Sequence, residues 1–159
     1  MNPRLFLACP LLVVSLWLAA PTVRSGERGT GDEKMSAEIH AVLERQQAAW
    51  NRADIEAFMK GYWHSEELSF AGSGGITRGW TPVLNRYRER YRDAQAMGHL
   101  DFTDLEVHSL GKDAAFVLGR WHLKRAKDAP GGVFTLVFRH FPEGWRIVHD
   151  HTSADEKEP

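Results

Sequence analysis

Hydrophobic positions along the chain follow two periods, helical first and alternating later. From Ser36, a residue suited to a helix N-cap, Ile39, Val42, Leu43 and Trp50 recur at helical spacing and predict one buried stripe. "NRAD" breaks that pattern, and Asp54 can cap a short second helix carrying Ile55, Phe58, Met59 and Tyr62, with Gly61 near its end. "ELSFAGSGG" predicts a strand with Leu68 and Phe70 on one face, running into a glycine turn. "GWTPVLNRYRERYRD" predicts a third helix with Thr81 as cap and Pro82 at its first position, burying Val83, Leu84, Tyr87 and Tyr91.

After "MGH" the alternating period takes over. "LDFTDLEVHSL" predicts a strand bulged around Thr103 and Asp104, where the alternation slips. "AAFVLGRWHLKR", "GVFTLVFRHF" and "WRIVHDHTS" predict three more strands, separated by "GKD", "AKDAPGG" and "PEG" turns or loops. Helices followed by an antiparallel meander give an α+β class, with helices over one sheet face and a concave space between the layers.

The first residues break from this picture. "MNPRLFLACPLLVVSLWLAAPTVRS" has an early Arg4, an apolar run from Leu5 to Ala20 and small or β-branched residues at its end. These features predict a secretory signal peptide over residues 1–25, cut after Ser25, and a periplasmic or secreted protein with no stable membrane insertion. "GERGTGDEK", residues 26–34, then reads as a flexible linker, residues 35–153 as one domain, and 154–159 as a disordered tail. The only cysteine is Cys9, so the remainder has no disulfide to staple it. Without Arg4 and Arg24 the net charge is about −3, which argues against a nucleic-acid partner. "RYRERYR", residues 86–92, reads as a solvated helix face.

The element order, with "AAWNRAD", "YW", "RGW" and above all the closing "FTLVFR" and "GWRIVHDHTS", resembles the nuclear-transport-factor-2-like superfamily over residues 36–153. Within it the chain is similar to SnoaL-like and uncharacterised stand-alone domains, and its ending to the association domain of calcium/calmodulin-dependent protein kinase. The resemblance implies a cone: a curved antiparallel sheet wrapped around N-terminal helices, with a pocket at the open end and a homodimer through the outer sheet face. It does not by itself imply a function, because the superfamily holds enzymes, binding modules and assembly hubs.

The candidate chemistry has three parts. Tyr62, Trp63, Phe70, Trp80, Tyr87, Trp121, Leu136 and Phe138 are the expected walls of a pocket for a small, largely apolar molecule. In "WRIVHDHTS", side chains alternate, so His149 and His151 share one face and Asp150 takes the other. With "PEG" as the turn, Val148 and Asp150 fall on the face of Leu136 and Phe138, which the resemblance turns into the cone. A desolvated carboxyl there is equipped for general acid–base work, with Tyr87 or His151 assisting. The alternative role for Asp150 is structural, accepting hydrogen bonds from Arg120, Arg139, Thr152 or a backbone amide. His149 and His151 lack a fixed third ligand, so no metal and no cofactor are expected. Phe70 and Ala71 stand where the ketosteroid isomerase-like branch carries its acidic base. Three functions remain open: a binder of an apolar molecule, a small cyclase, isomerase or dehydratase, and an assembly module.

Overall fold

The computed structural model describes residues 25–155. The expected signal peptide (residues 1–24 of it) and the tail beyond Asp155 lie outside the described residues. In chain order the elements are α1 (Ser25–Trp50), α2 (Ile55–Met59), β1 (Ser69–Gly72), β2 (Gly75–Arg78), α3 (Trp80–Arg90), α4 (Ala94–Met97), β3 (His99–Ser109), β4 (Ala114–Lys124), β5 (Gly131–Phe141) and β6 (Gly144–Thr152). The strands form one six-stranded sheet in the order β2-β1-β6-β5-β4-β3. The sheet is curved but unclosed, and the helices fill its inner side, as the α+β reading expected. Among the described residues no helix is long and apolar enough to cross a membrane.

The inner layer is built by α1. Met35, Ile39, Val42, Leu43, Ala49 and Trp50 are all buried and recur at helical spacing. The only polar side chain in that stripe is Gln46, 2% exposed, whose amide donates to the Phe58 carbonyl at 3.0 Å. The end of α1 also guards the edge strand β3. Asn51 takes both backbone groups of Leu100, accepting from its N–H at 2.7 Å and donating to its carbonyl at 3.0 Å. Gln47 accepts from the Phe102 N–H at 2.9 Å. These bonds supply what a missing neighbouring strand would otherwise leave open.

Several expectations are corrected by the structure. Residues 26–34, expected as a linker, belong to α1. Met35 is already buried and Lys34 reaches Glu38 one turn on, so the helix is established before Ser36, and the exposed residues 29–34 extend from that anchored part. The tail expectation fails for Ala154 and Asp155. Asp155 donates its N–H to the Gly131 carbonyl at 2.8 Å, and its carboxylate pairs with Arg120 at 2.7 Å. Helix α3 starts at Trp80 with Gly79 as its cap at φ 90, not at Pro82 after Thr81. Pro82 sits within the first turn, where its missing N–H leaves no helical bond unmade. α4 was not foreseen from the sequence; the Asp93 carboxylate caps it by accepting from the Ala96 N–H at 2.7 Å.

Two departures in the sheet shape the site. β1 pairs with β6 in parallel, placing Phe70 opposite Asp150, where an all-antiparallel sheet was expected. The β5–β6 register also slips: Leu136 faces Asp150, but Phe138 faces Ile147. The extra residue lets Ile147 and Asp150 both point inward and leaves Val148 half-buried, off the inner face assigned to it. The expected bulge in β3 is present, with Asp104 at φ 53 between the Thr103 and Glu106 pairings.

Candidate functional site

The site is an apolar cavity of about 130 Å³ between α1, α3 and the inner sheet face. Trp50 and Phe58 form its helical side, while Leu100, Phe102, Phe134 and Leu136 line it from the sheet. The rings interlock edge to face. Phe58 stands 5.3 Å from Tyr87, Trp50 4.7 Å from Tyr91, and Phe102 5.5 Å from Phe134. Gly119 is required behind this wall. A Cβ there would stand 2.4 Å from the Phe134 ring, so the bare backbone lets that ring lie flat across β4.

At the base lies Asp150, only 3% exposed. Its neighbours across the two ladders are Phe70 and Leu136, neither of which can solvate a charge. Tyr62 donates to Asp150 Oδ2 at 2.7 Å, and Thr152 donates to Oδ1 at 2.6 Å. Tyr87 joins through a 3.2 Å contact between its hydroxyl and that of Tyr62. Tyr62 has one proton and gives it to the carboxylate, so the Tyr87 proton is the one that bridges the two phenols while Asp150 is ionised. The result is a chain from Tyr87 through Tyr62 to Asp150. Burial pushes the Asp150 carboxyl up from 3.8 to about 6, against the opposing pull of the Thr152 and Tyr62 hydrogen bonds and of the His151 and Arg86 charges. Burial likewise pushes both phenols well above their ordinary range, and the Asp150 charge adds to it.

Of the expected wall residues, the structure brings Tyr62, Phe70, Tyr87, Trp121 and Leu136 together around the cavity. It does not bring Trp63, Trp80 or Phe138 there. Trp63 stacks on Phe141 at 5.2 Å, away from the cavity lining. Trp80 stacks on His64 at 4.2 Å, and its indole N–H donates to the Met59 carbonyl at 3.1 Å. Phe138 is fully buried beneath the bulge, paired with Ile147, and fills the core instead. His151 is also misplaced as a catalytic assistant. It is exposed on the outer face opposite Thr135, as strand alternation from Asp150 demands. His149, opposite Val137 on the same face, shares a 2.8 Å hydrogen bond with the Ser69 hydroxyl. Partial burial lowers its pKa, and the His151 and Arg78 charges add to that. Among the described residues no group of three His, Cys, Asp or Glu is placed to hold a metal ion.

Arg120 and Arg139, weighed as partners for Asp150, point elsewhere: Arg120 to Asp155, and Arg139 over the Phe141 ring at 5.5 Å. Thr152 alone of the weighed side-chain partners reaches the carboxylate. Gln46, Leu100, Phe102, Phe134, Arg86 and Arg90 were missed as lining residues. The signal for the two arginines was present: they are spaced i,i+4 on the helix edge beside the Tyr87 and Tyr91 stripe.

Known proteins agree with this architecture. The SnoaL-like domain family matches residues 39–155. A protein of unknown function from Shewanella oneidensis, described as NTF-2 like, is 42% identical over 74% of this chain and 98% of its own, with a TM-score of 0.71. An NTF2-like superfamily protein from Salmonella enterica is 24% identical over 80% of this chain and 95% of its own, at TM-score 0.62. An NTF2-like protein with a cystatin-like fold from Novosphingobium aromaticivorans is 14% identical over 88% of this chain and 94% of its own, at TM-score 0.66. The last two likenesses show the fold alone. Among curated proteins none matches. The chain belongs to the SnoaL-like domain family, within the nuclear-transport-factor-2-like superfamily.

Proposed function

We propose that this domain binds a small, largely apolar, ring-sized molecule, with one polar group of that molecule turned toward Asp150, Tyr62 and Tyr87. The observation that carries this reading is a buried carboxyl at the base of a cavity walled mainly by aromatic and aliphatic side chains. The size is right: dry apolar cavities of ~150 Å³ take up benzene, and this one holds about 130 Å³ before its open mouth. A ligand hydroxyl can donate to Asp150 or to the Tyr87 oxygen, which accepts while the chain of phenols runs toward the carboxylate.

Native mass spectrometry of protein purified from its own host tests the reading. A bound species of ring-sized mass, lost on denaturation, is expected. Bare polypeptide that also fails to take up added phenol would refute it.

A second reading, proton transfer by Asp150 on the bound molecule, is favoured by its carboxyl being held at about 6. At that value about one carboxyl in ten keeps its proton at pH 7, so the group can take or give a proton close to neutrality. Protonation of Asp150 allows the phenol chain to reverse, so that Tyr87 presents a proton to the cavity. In this reading Asp150→Asn abolishes turnover and spares ligand affinity. The leader-like residues 1–25 support export. Exposed Leu118 and Val133 on the outer sheet face support a homodimer.

A further inference from the structure

Among the described residues the mouth of the cavity carries two guanidinium groups and no carboxylate. Arg86 and Arg90, one helical turn apart on α3, both line it. Other arginines of the domain reach acids: Arg88 pairs with Glu56, Arg120 with Asp155 and Arg125 with Asp128. Among the described residues Arg86 and Arg90 have no ion pair and no hydrogen-bond acceptor. They rest on aromatic faces instead, Arg86 5.0 Å over Phe70 and Arg90 5.8 Å over Tyr91.

Arg86 is the more telling of the two. It is half-buried, so part of its hydration is already lost, and its five N–H donors have no acceptor among the described residues. The β1–β2 hairpin leaves room for it. A Cβ at Gly74 would stand 3.2 Å from Nη1, and one at Gly72 3.6 Å from Nη2. The hairpin therefore holds the guanidinium at the mouth without covering its edge with a side chain. The Arg86 charge reaches Asp150, but Asp150 already has a donor on each oxygen from Tyr62 and Thr152, which leaves the Arg86 donors for another anion.

We propose that the molecule bound in this cavity is an amphipathic anion, an aromatic or alicyclic carboxylate, whose ring enters toward Asp150 and whose carboxylate meets Arg86, with Arg90 at the rim. Guanidinium and carboxylate match as a planar bidentate pair, and the aromatic contact behind Arg86 keeps its fork fixed. This proposal rests on the cavity being a binding site.

Isothermal titration with phenylacetate and its neutral isostere phenylacetamide tests it, in wild type, Arg86→Gln, Arg86→Lys and Arg88→Gln. Phenylacetate is expected to bind at least tenfold more tightly than phenylacetamide. Arg86→Gln removes that preference, Arg86→Lys keeps part of it, and Arg88→Gln, whose partner is Glu56, keeps it all. Circular dichroism checks that each variant is folded, and the lysine variant preserves the test if the glutamine variant is not. Equal binding of the two probes overturns the anion proposal and leaves the cavity reading standing, as does a preference that survives Arg86→Gln. Binding of neither probe, with phenol also failing to bind, overturns both.

Discussion

Replacing Asp150 with Asn should make the protein more stable in neutral solution and change little in acid. The carboxyl titrates at about 6 in the fold against an ordinary 3.8, and burial is the largest cause. At about 1.4 kcal/mol for each tenfold change in proton affinity, ionising it inside the fold costs about 3 kcal/mol more than ionising it in the unfolded chain. The sign follows from proton counting. Between pH 3.8 and about 6 the folded state keeps a proton on Asp150 that the unfolded chain has lost. Stability from this group is complete below that window and is lost as pH rises through it. Asparagine carries no such charge. It keeps one carbonyl for Tyr62 or Thr152 and offers its amide to the other hydroxyl, so its hydrogen-bonding offset is the same at every pH. Urea unfolding of both proteins at pH 4 and pH 7.5 reads the difference. Asp150→Asn should gain about 2.5 kcal/mol relative to wild type between the two conditions, since pH 4 already lies just inside the window, or about 1.2 M in midpoint at an m of about 2 kcal/mol/M. His149 and the other titrating groups are common to both proteins and largely cancel. A pH-independent difference, or one that favours wild type as pH rises, would refute the claim that Asp150 is a desolvated carboxyl.

Three further outcomes follow from the same geometry. Tyr62→Phe removes the donor on Asp150 Oδ2 and should destabilise the protein by about 1–3 kcal/mol at pH 8, less at pH 4, by the same urea assay. Gly119→Ala places a methyl group into the Phe134 ring and Leu105, costing about 1–3 kcal/mol and weakening phenol binding as Phe134 is driven into the cavity; calorimetry reads both effects. Leu118→Lys together with Val133→Lys should convert a dimer to a monomer in sedimentation velocity with the fold intact by circular dichroism; an unchanged assembly state would remove the outer face as its interface.

The inward Asp150 was legible in the sequence, though not its register. Alternation put Asp150 opposite to His149 and His151, which holds. It also put Val148 inside, which fails because a bulge at β6 shifts the phase between Ile147 and Asp150. A bulge arises from pairing across strands, and no local pattern in "RIVHDH" marks it. The tryptophans were misread for a related reason. Trp63 and Trp80 are as aromatic as Trp50 and Trp121, but their positions are fixed by Phe141 and by the Met59 carbonyl, far away in sequence. The parallel join of β1 to β6 was likewise hidden, since it links segments some eighty residues apart and brings Phe70 to Asp150. "RYRERYR" was read as a solvated face, which is true of Arg88 and Arg92 but not of Arg86. A helical stripe of aromatics with arginines at its flank deserved a reading as a pocket rim.

The proposed ring-sized ligand enters the cavity above Asp150. Nitrogen-15-labelled protein titrated with phenol tests it through the indole N–H signals of the tryptophans, assigned by single Trp→Phe variants. Trp50 and Trp121 line the cavity, whereas Trp63, Trp80 and Trp145 do not. Saturable shifts are expected at Trp50 and Trp121, with Trp63, Trp80 and Trp145 nearly still. No saturable shift at Trp50 and Trp121, or shifts confined to Trp63 and Trp145, would contradict it.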